Sequence, residues 1–145
     1  MTYRCKHFEI RELVDEGTYN LFKEQFGELH FEEFLWRLFD ENLLMALDNL
    51  RVDIGAIVVN DWYLGGNYLW SGLRTPLSPW YSEGSMHSKG QAFDVKSKRF
   101  TSDELIARLR SVAPAGITRV ELGTKGWVHI DSAETGKDHV HFFNA

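Results

Sequence analysis

The first fifty residues place apolar side chains at the spacing of amphipathic helices. FEIRELVDE, residues 8–16, predicts a short amphipathic turn or two. From Phe31 to Leu50 the apolar residues recur every three or four positions, which predicts one helix that buries a single face. Those positions are Phe31, Phe34, Leu35, Leu38, Leu43, Ala46, Leu47 and Leu50. Spacing of this kind is typical of a core helix and does not indicate a cofactor site.

Beyond Gly55 the pattern changes to short apolar runs rich in β-branched and aromatic residues, which favour strands. Strands are predicted over AIVVNDWY (56–63), NYLWSGL (67–73), QAFDV (91–95), ITRVEL (117–122), GWVHID (126–131) and, at the end, HVHFF (139–143). GTKG, between ITRVEL and GWVHID, is a hairpin signal with glycine at the bend. The segment from 75 to 90 contains two prolines and two glycines and predicts a loop.

One further helix is predicted over TSDELIARLRSV, residues 101–112. Thr101 or Ser102 would be its N-cap, acidic residues lie in its first turn, and Pro114 and Gly116 end it. Helices therefore gather early in the chain and strands gather late. We expect one α+β domain over residues 1–145, with a mostly antiparallel sheet and the helices packed on one side of it.

Composition and charge narrow the functional classes. The 145 residues carry a formal net charge of −5 and no basic cluster, so we expect no nucleic-acid binding. The single cysteine, Cys5, excludes an internal disulfide and zinc sites built from several cysteines. No run approaches the ~18 apolar residues of a membrane span, and the N-terminus has no secretory signal. We expect a monomer that is made in the cytoplasm and does not associate with membranes.

Strand alternation indicates a metal site. Successive side chains of a strand point to opposite faces, so His129 and Asp131 share one face of GWVHID, and Asp94 lies on one face of QAFDV. His87 precedes the second of these strands and can fold back over it, since Gly90 permits a tight approach. Two histidines and a carboxylate are a common zinc set that leaves one tetrahedral position for water.

The competing interpretation is a chance arrangement of common residues. Six histidines and many carboxylates would produce such spacing in some chains without any metal. We interpret His7, His30 and His139 as surface or locally bonded residues, and Ser85 could be a simple turn residue. The combination of turn chemistry, strand alternation and the nearby Arg74 favours a metal site.

Three motifs together resemble a known family. SGLRTP, SMHSKGQAFD and GWVHID are similar to the motifs of the M15-type zinc D-alanyl-D-alanine peptidases, a group that includes phage cell-wall endopeptidases. Vancomycin-resistance D,D-dipeptidases and the hedgehog signalling domain share the fold of that group. The resemblance covers roughly residues 32–131. The matching positions are Arg74, Ser85, His87, Gly90, Ala92, Asp94, Trp127, His129 and Asp131.

The resemblance implies a hedgehog/D,D-peptidase-like fold and a set of site residues. It implies His87, Asp94 and His129 as zinc ligands, and Arg74 as the residue that grips a substrate carbonyl or carboxylate beside the metal. A guanidinium is permanently charged and donates in a fork, which suits that role. A surface arginine at the end of a strand is the plainer interpretation of Arg74.

The chain departs from the family pattern at the position of its general base. Many relatives carry a glutamate three residues before the last histidine ligand, where this chain has Gly126. Glu121 could replace it from the preceding strand, and His139 or His141 are alternatives. Glu121 could equally be an exposed strand carboxylate. Asp131 could orient a ligand imidazole, as Ser85 could support His87.

These residues lead to two functional hypotheses. The first is a zinc metallopeptidase that cuts an amide bond in bacterial peptidoglycan peptides, acting on the cell wall after release or as a phage particle component. The second is a non-catalytic, zinc-stabilised binding or virion structural module of the same fold, which Gly126 favours.

Overall fold

The computed structural model describes residues 2–145 and shows an α+β fold. Within that range the helices are α1 (Glu16–Phe26), α2 (Phe31–Trp36), α3 (Glu41–Ile54) and α4 (Ser102–Ser111). The strands are β1 (Ile57–Val58), β2 (Ala92–Ser97), β3 (Arg119–Leu122), β4 (Val128–Asp131) and β5 (His141–Asn144). Short 3₁₀ turns lie at Ile10–Glu12, Trp62–Leu64 and His87–Lys89. None of the helices described here combines the length and apolar character needed to cross a bilayer.

The strands form one mixed sheet in the order β1-β2-β4-β3-β5. The pairs β1–β2, β2–β4 and β3–β4 are antiparallel, which confirms the prediction of a mostly antiparallel sheet. The predicted hairpin between ITRVEL and GWVHID forms the β3–β4 pair. β5 lies parallel to β3 at the edge of the sheet, a pairing that the sequence pattern did not predict.

One face of the sheet is apolar and the other carries polar side chains. One face packs against the helices and supplies apolar side chains to the same buried cluster as α3 and α4. The buried sheet residues of that cluster are Ile57, Phe93, Val95, Val120, Val128 and Ile130. Strand alternation leaves Asp94 and His129 on the opposite face. The core therefore fixes the sheet from one side, while the other side is available for polar chemistry.

The prediction of one continuous helix from Phe31 to Leu50 is wrong. Helix α2 ends at Trp36, and α3 begins after Asp40, whose carboxylate accepts a hydrogen bond from the backbone N–H of Asn42 at 3.1 Å. The backbone N–H of Asp40 donates to the carbonyl of Gly90 at 2.9 Å. Apolar spacing could not show this break, because both helices bury their apolar residues in the same core.

Helix α1 has no counterpart among the predicted elements. It begins after Asp15, which is buried and whose carboxylate accepts hydrogen bonds from the backbone and hydroxyl of Thr18 at 2.9 and 2.7 Å. By contrast, the predicted helix near residue 101 is confirmed. Thr101 caps α4 and exchanges reciprocal hydrogen bonds with Glu104, the pattern of a capping box.

The predicted strand over residues 67–73 is wrong, and AIVVNDWY contributes only the two residues of β1. The polar groups of the 67–73 segment bond to side chains and to scattered backbone groups, including the N–H of Asp94 on β2, and do not form a strand ladder. The Asp61 carboxylate accepts from the N–H of Tyr68 at 2.9 Å, and the Asn60 amide oxygen accepts from the N–H of Ser71 at 2.8 Å. A β-like composition therefore forms an irregular loop, because scattered side-chain and backbone partners satisfy its polar groups.

Gly90 connects the loop before β2 to the helical layer. Its φ of +69° lies in the left-handed region, and a Cβ added there would overlap the carbonyl oxygen of Leu38. The site therefore needs glycine both for its backbone conformation and for its close packing.

Replacing Gly90 with alanine is expected to lower the free energy of unfolding by about 2–4 kcal/mol, because strain and overlap with backbone act together. Urea unfolding monitored by circular dichroism would measure the loss. Gly84→Ala is the matched control, since its Cβ would meet nothing within 4 Å. Equal stability of the two variants would contradict the packing described for Gly90.

Candidate metal centre

The pairing of β2 with β4 brings two of the predicted ligands together. Asp94 and His129 are direct partners across the antiparallel pair, so their side chains leave the sheet on the same face. His129 Nδ1 lies 3.1 Å from Asp94 Oδ1. His87 arrives from the 3₁₀ turn before β2, and its Nε2 lies 3.3 Å from the same oxygen. One ligand atom from each residue lies within 4.8 Å of the other two, which confirms the predicted convergence.

The backbone carbonyl of Gly72 fixes the orientation of the His87 ring. His87 is buried, and its Nδ1 lies 2.9 Å from that carbonyl oxygen. A carbonyl can only accept, so Nδ1 must carry the hydrogen. Nε2 is then the nitrogen that faces Asp94, and in a neutral imidazole its lone pair is the one that a metal ion would bind.

Asp131 orients the imidazole of His129 in the same way, a role that the sequence analysis considered for it. His129 Nε2 lies 2.8 Å from Asp131 Oδ2, so Nδ1 is the nitrogen that faces Asp94. Asp131 is fully buried and is held by Arg119, whose Nε and Nη2 donate to its carboxylate at 2.8–3.1 Å. Sequence reasoning missed Arg119, although the β3–β4 hairpin register pairs it with Asp131 and could have identified it.

The buried charges shift the proton affinities of the site. Burial by itself would lower the pKa of His129, but its hydrogen bonds to Asp131 and Asp94 raise that pKa to about 9. Burial would raise the pKa of Asp94, but hydrogen bonds from His129 and His87 hold it well below its usual range. Without a metal, His129 is therefore a cation between two carboxylates at neutral pH. A divalent ion would displace the proton from Nδ1.

Arg74 lies beside the centre and contacts a ligand directly. Its Nη2 donates to Asp94 Oδ2 at 3.1 Å, and its Nε donates to the carbonyl of Trp70 at 2.9 Å. The side chain is 21% exposed, and burial lowers its pKa while the charge of Asp94 raises it. Arg74 is therefore part of the site and not an isolated surface arginine.

Ser85 supports His87 through the backbone and not through the imidazole. Its hydroxyl oxygen accepts from the backbone N–H of His87 at 3.2 Å. This bond shapes the turn that carries the ligand. Ser85 is thus a turn residue, and through the same contact it supports His87.

The three residues considered for proton transfer, Glu121, His139 and His141, all lie outside the group of converging ligand side chains. Glu121 lies on β3 two residues after Arg119, on the same face, but it does not belong to the group of converging ligand atoms. His141 is the direct partner of Arg119 on β5, and its Nδ1 lies 3.0 Å from Lys137 Nζ. The side chain of His139 is 69% exposed and lies beside Asp138.

Gly126 has a backbone conformation that disfavours the family glutamate. Its φ is +85°, in the left-handed region that residues with a side chain rarely adopt. A simple reversal to glutamate at this position would strain the backbone.

Lys96 is a second residue that sequence reasoning missed. It lies two positions after Asp94 on β2, and its Nζ donates to the carbonyl of Val59 at 2.6 Å and to the hydroxyl of Ser71 at 2.8 Å. The same ammonium lies 4.0 Å from the centre of the Tyr68 ring. Burial lowers its pKa to about 8. Lys96 thus connects the 67–71 loop to the strand that carries Asp94.

Comparison of this chain with protein-family models, with curated proteins and with solved structures finds no match. The site is therefore defined by its own geometry: two imidazoles with fixed ring orientations and one carboxylate oxygen, facing a common point. Three donors of these two types define one class of site, a candidate centre for a divalent transition-metal ion.

The raised pKa of His129 predicts how the free energy of unfolding of the metal-free protein depends on pH. His129 keeps its proton in the folded state up to about pH 9 but loses it near pH 6.5 in the unfolded state, so its contribution is complete below pH 6.5 and declines above. The free energy of unfolding should fall by about 2 kcal/mol between pH 6.5 and 8. Urea unfolding in EDTA at several pH values would measure this decline.

His129→Gln provides the comparison for this pH series. The variant keeps a hydrogen-bonding side chain but cannot become charged. Its free energy of unfolding should therefore fall by about 2 kcal/mol less between pH 6.5 and 8. The range stops at pH 8 because Lys96, with its pKa lowered to about 8, adds an opposite dependence above it. Identical slopes in both proteins would contradict the charged state assigned to His129.

Proposed function

We propose that the chain is a zinc metallopeptidase that hydrolyses an amide bond in bacterial peptidoglycan peptides. The observation that carries the proposal is the convergence of His87 Nε2, His129 Nδ1 and Asp94 Oδ1, with each imidazole held from behind. The sequence motifs that contain these residues resemble those of M15-type peptidases. A hedgehog/D,D-peptidase-like fold, and action on the wall after release or within a phage particle, belong to the same proposal.

The residues present fit zinc. Two neutral imidazole nitrogens and one carboxylate oxygen are a known catalytic zinc set. Gly72 and Asp131 act as hydrogen-bond acceptors for the distal ring nitrogens, an arrangement that is typical around metal-bound histidines. When bound, zinc supplies Lewis acidity and lowers the pKa of a water ligand to ~7.

Arg74 is proposed to hold the substrate. A guanidinium has five N–H donors, and the two bonds described here use only Nε and Nη2. The remaining donors can bind a carbonyl or carboxylate oxygen of a peptide placed beside Asp94. Because Arg74 stays charged, the same contact stabilises negative charge that develops on the scissile carbonyl oxygen.

Glu121 is proposed as the group that accepts and returns the proton, with His141 as the alternative. Glu121 is half-buried on the same face of β3 as Arg119, and it contributes to the electrostatic field at that arginine. His141 lies on the neighbouring strand, opposite Arg119. A carboxylate or an imidazole is chemically able to serve in amide hydrolysis.

A non-catalytic, zinc-stabilised binding or virion module is the second candidate. It is favoured by Gly126, which leaves the usual base position without a side chain that can carry a proton. In that case the three ligands would hold zinc only to stabilise the fold, since metal binding contributes to folding free energy.

Removing the metal is expected to abolish hydrolysis. The assay would follow release of amino groups from purified peptidoglycan, with and without a chelator, and with zinc restored. His87→Ala should lose both stoichiometric zinc and activity, because one of three ligands is gone. His30→Ala is the control, since His30 is exposed and does not belong to the converging group. Hydrolysis that survives chelation, or survives His87→Ala, would rule out the proposal. Stoichiometric zinc without any hydrolysis would favour the non-catalytic module.

Glu121→Gln is expected to lower kcat on a stem-peptide substrate by about 10²–10⁴-fold while zinc content is unchanged, because the amide cannot accept a proton. His141→Gln, assayed in parallel, should have a much smaller effect. The assignment would be reversed if His141→Gln were the slow variant. Zinc analysis of both proteins separates proton transfer from metal loss.

A further inference from the structure

A cleft with exposed aromatic side chains opens beside the metal centre. It has a volume of about 640 Å³, within the range of small-molecule sites. Four aromatic residues line it, Tyr68, Trp70, Trp80 and Trp127. Tyr68, Trp80 and Trp127 are 46%, 66% and 41% exposed. Large aromatic residues are usually buried, so three of them around one cleft point to a ligand.

The aromatic wall is held in place by polar anchors. The loop that carries Tyr68 has no regular secondary structure, but the N–H of Tyr68 donates to Asp61 and the hydroxyl of Ser71 accepts from Lys96. The carbonyl of Ser71 accepts from the N–H of Asp94 at 2.8 Å. The loop that carries Tyr68 is therefore held in place before any ligand arrives, which reduces the entropy cost of binding.

The cleft is continuous with the metal centre. Arg74 lines the cleft and also donates to the ligand carboxylate of Asp94. Trp127 precedes β4 by one residue, so alternation places it on the same side of the strand as His129. A molecule in the cleft would therefore lie next to any peptide held at the metal.

We propose that this cleft binds a pyranose ring of the glycan strand to which the stem peptides are attached. The inference rests on the proposed function, since it assigns a second part of the same substrate. One face of a pyranose presents C–H groups with partial positive charge, which stack on the electron-rich face of an aromatic ring. Its hydroxyl and amide groups lie at the edge, where Asn67, Ser71 and Arg74 supply polar partners.

The chemistry of the cleft favours a sugar over other ligands. Its lining contains one cation, Arg74, and no carboxylate, so neither a polyanion nor a polycation is matched in charge. A saccharide uses both the flat rings and the polar rim.

Binding of a peptide-free saccharide tests the inference. The zinc-loaded protein would be titrated with the tetrasaccharide of β-1,4-linked N-acetylglucosamine, and indole N–H signals would be followed by NMR. The chain has five tryptophans, so the buried Trp36 and the hydrogen-bonded Trp62 are internal references. Signals of Trp80 and Trp127 should shift, and those two references should not.

Variants identify the contact. Trp80→Ala and Trp127→Ala should each weaken saccharide binding by about tenfold, whereas Trp80→Phe should recover most of the affinity because it keeps a ring. Leu29→Ala is the control, since Leu29 is 90% exposed and does not line the cleft. Unshifted Trp80 and Trp127 signals at millimolar saccharide would overturn the inference, as would shifts caused by an isolated stem peptide alone.

The saccharide titration requires no turnover, so it is separate from the test of hydrolysis. If the protein cuts stem peptides but does not bind the saccharide, only the glycan cleft is wrong. If it binds the saccharide at Trp80 and Trp127 but never hydrolyses peptidoglycan, the cleft stands and the peptidase proposal fails.

Discussion

The antiparallel register that places Asp94 opposite His129 is the constraint on which the site depends. The same register puts Phe93 beside Ile130 on the other face, inside the core. A slip of one residue would turn the carboxylate and the imidazole into the apolar layer and expose the core residues. Hydrophobic burial on one face therefore fixes the position of the metal ligands on the other.

Electrostatic balance explains why such polar groups can lie beside a core. Two carboxylates, Asp94 and Asp131, are surrounded by two guanidinium groups and two imidazoles, and each carboxylate accepts from more than one of them. Desolvated charges are costly unless they are paired and hydrogen-bonded. Arg119 satisfies Asp131 at the back of the site, so His129 can present its other nitrogen at the front. Orientation of the ligands is thus built into the pairing of charges.

The sequence allowed prediction of the parts that depend on local periodicity. Strand alternation identified the shared face of Asp94 and His129, and capping residues identified α4. It failed where polar side chains interrupt an apolar pattern, as at Asp40, which divides the expected long helix. It also failed for the 67–73 segment, where the N–H groups of Tyr68 and Ser71 bond to the side chains of Asp61 and Asn60 and no strand forms. Irregular pairings such as these follow no repeat along the chain, so hydrophobic periodicity does not reveal them.

The number of ligands bears on whether the site is catalytic. Structural zinc sites are closed by four protein ligands, whereas catalytic sites keep one position for water or substrate. In the part of the chain from residue 2 onward, the converging group consists of His87, Asp94 and His129 alone. This site is bordered by Arg74, which also lines the aromatic cleft. Three converging ligand side chains beside a cleft therefore favour the proposed hydrolysis over a purely structural ion.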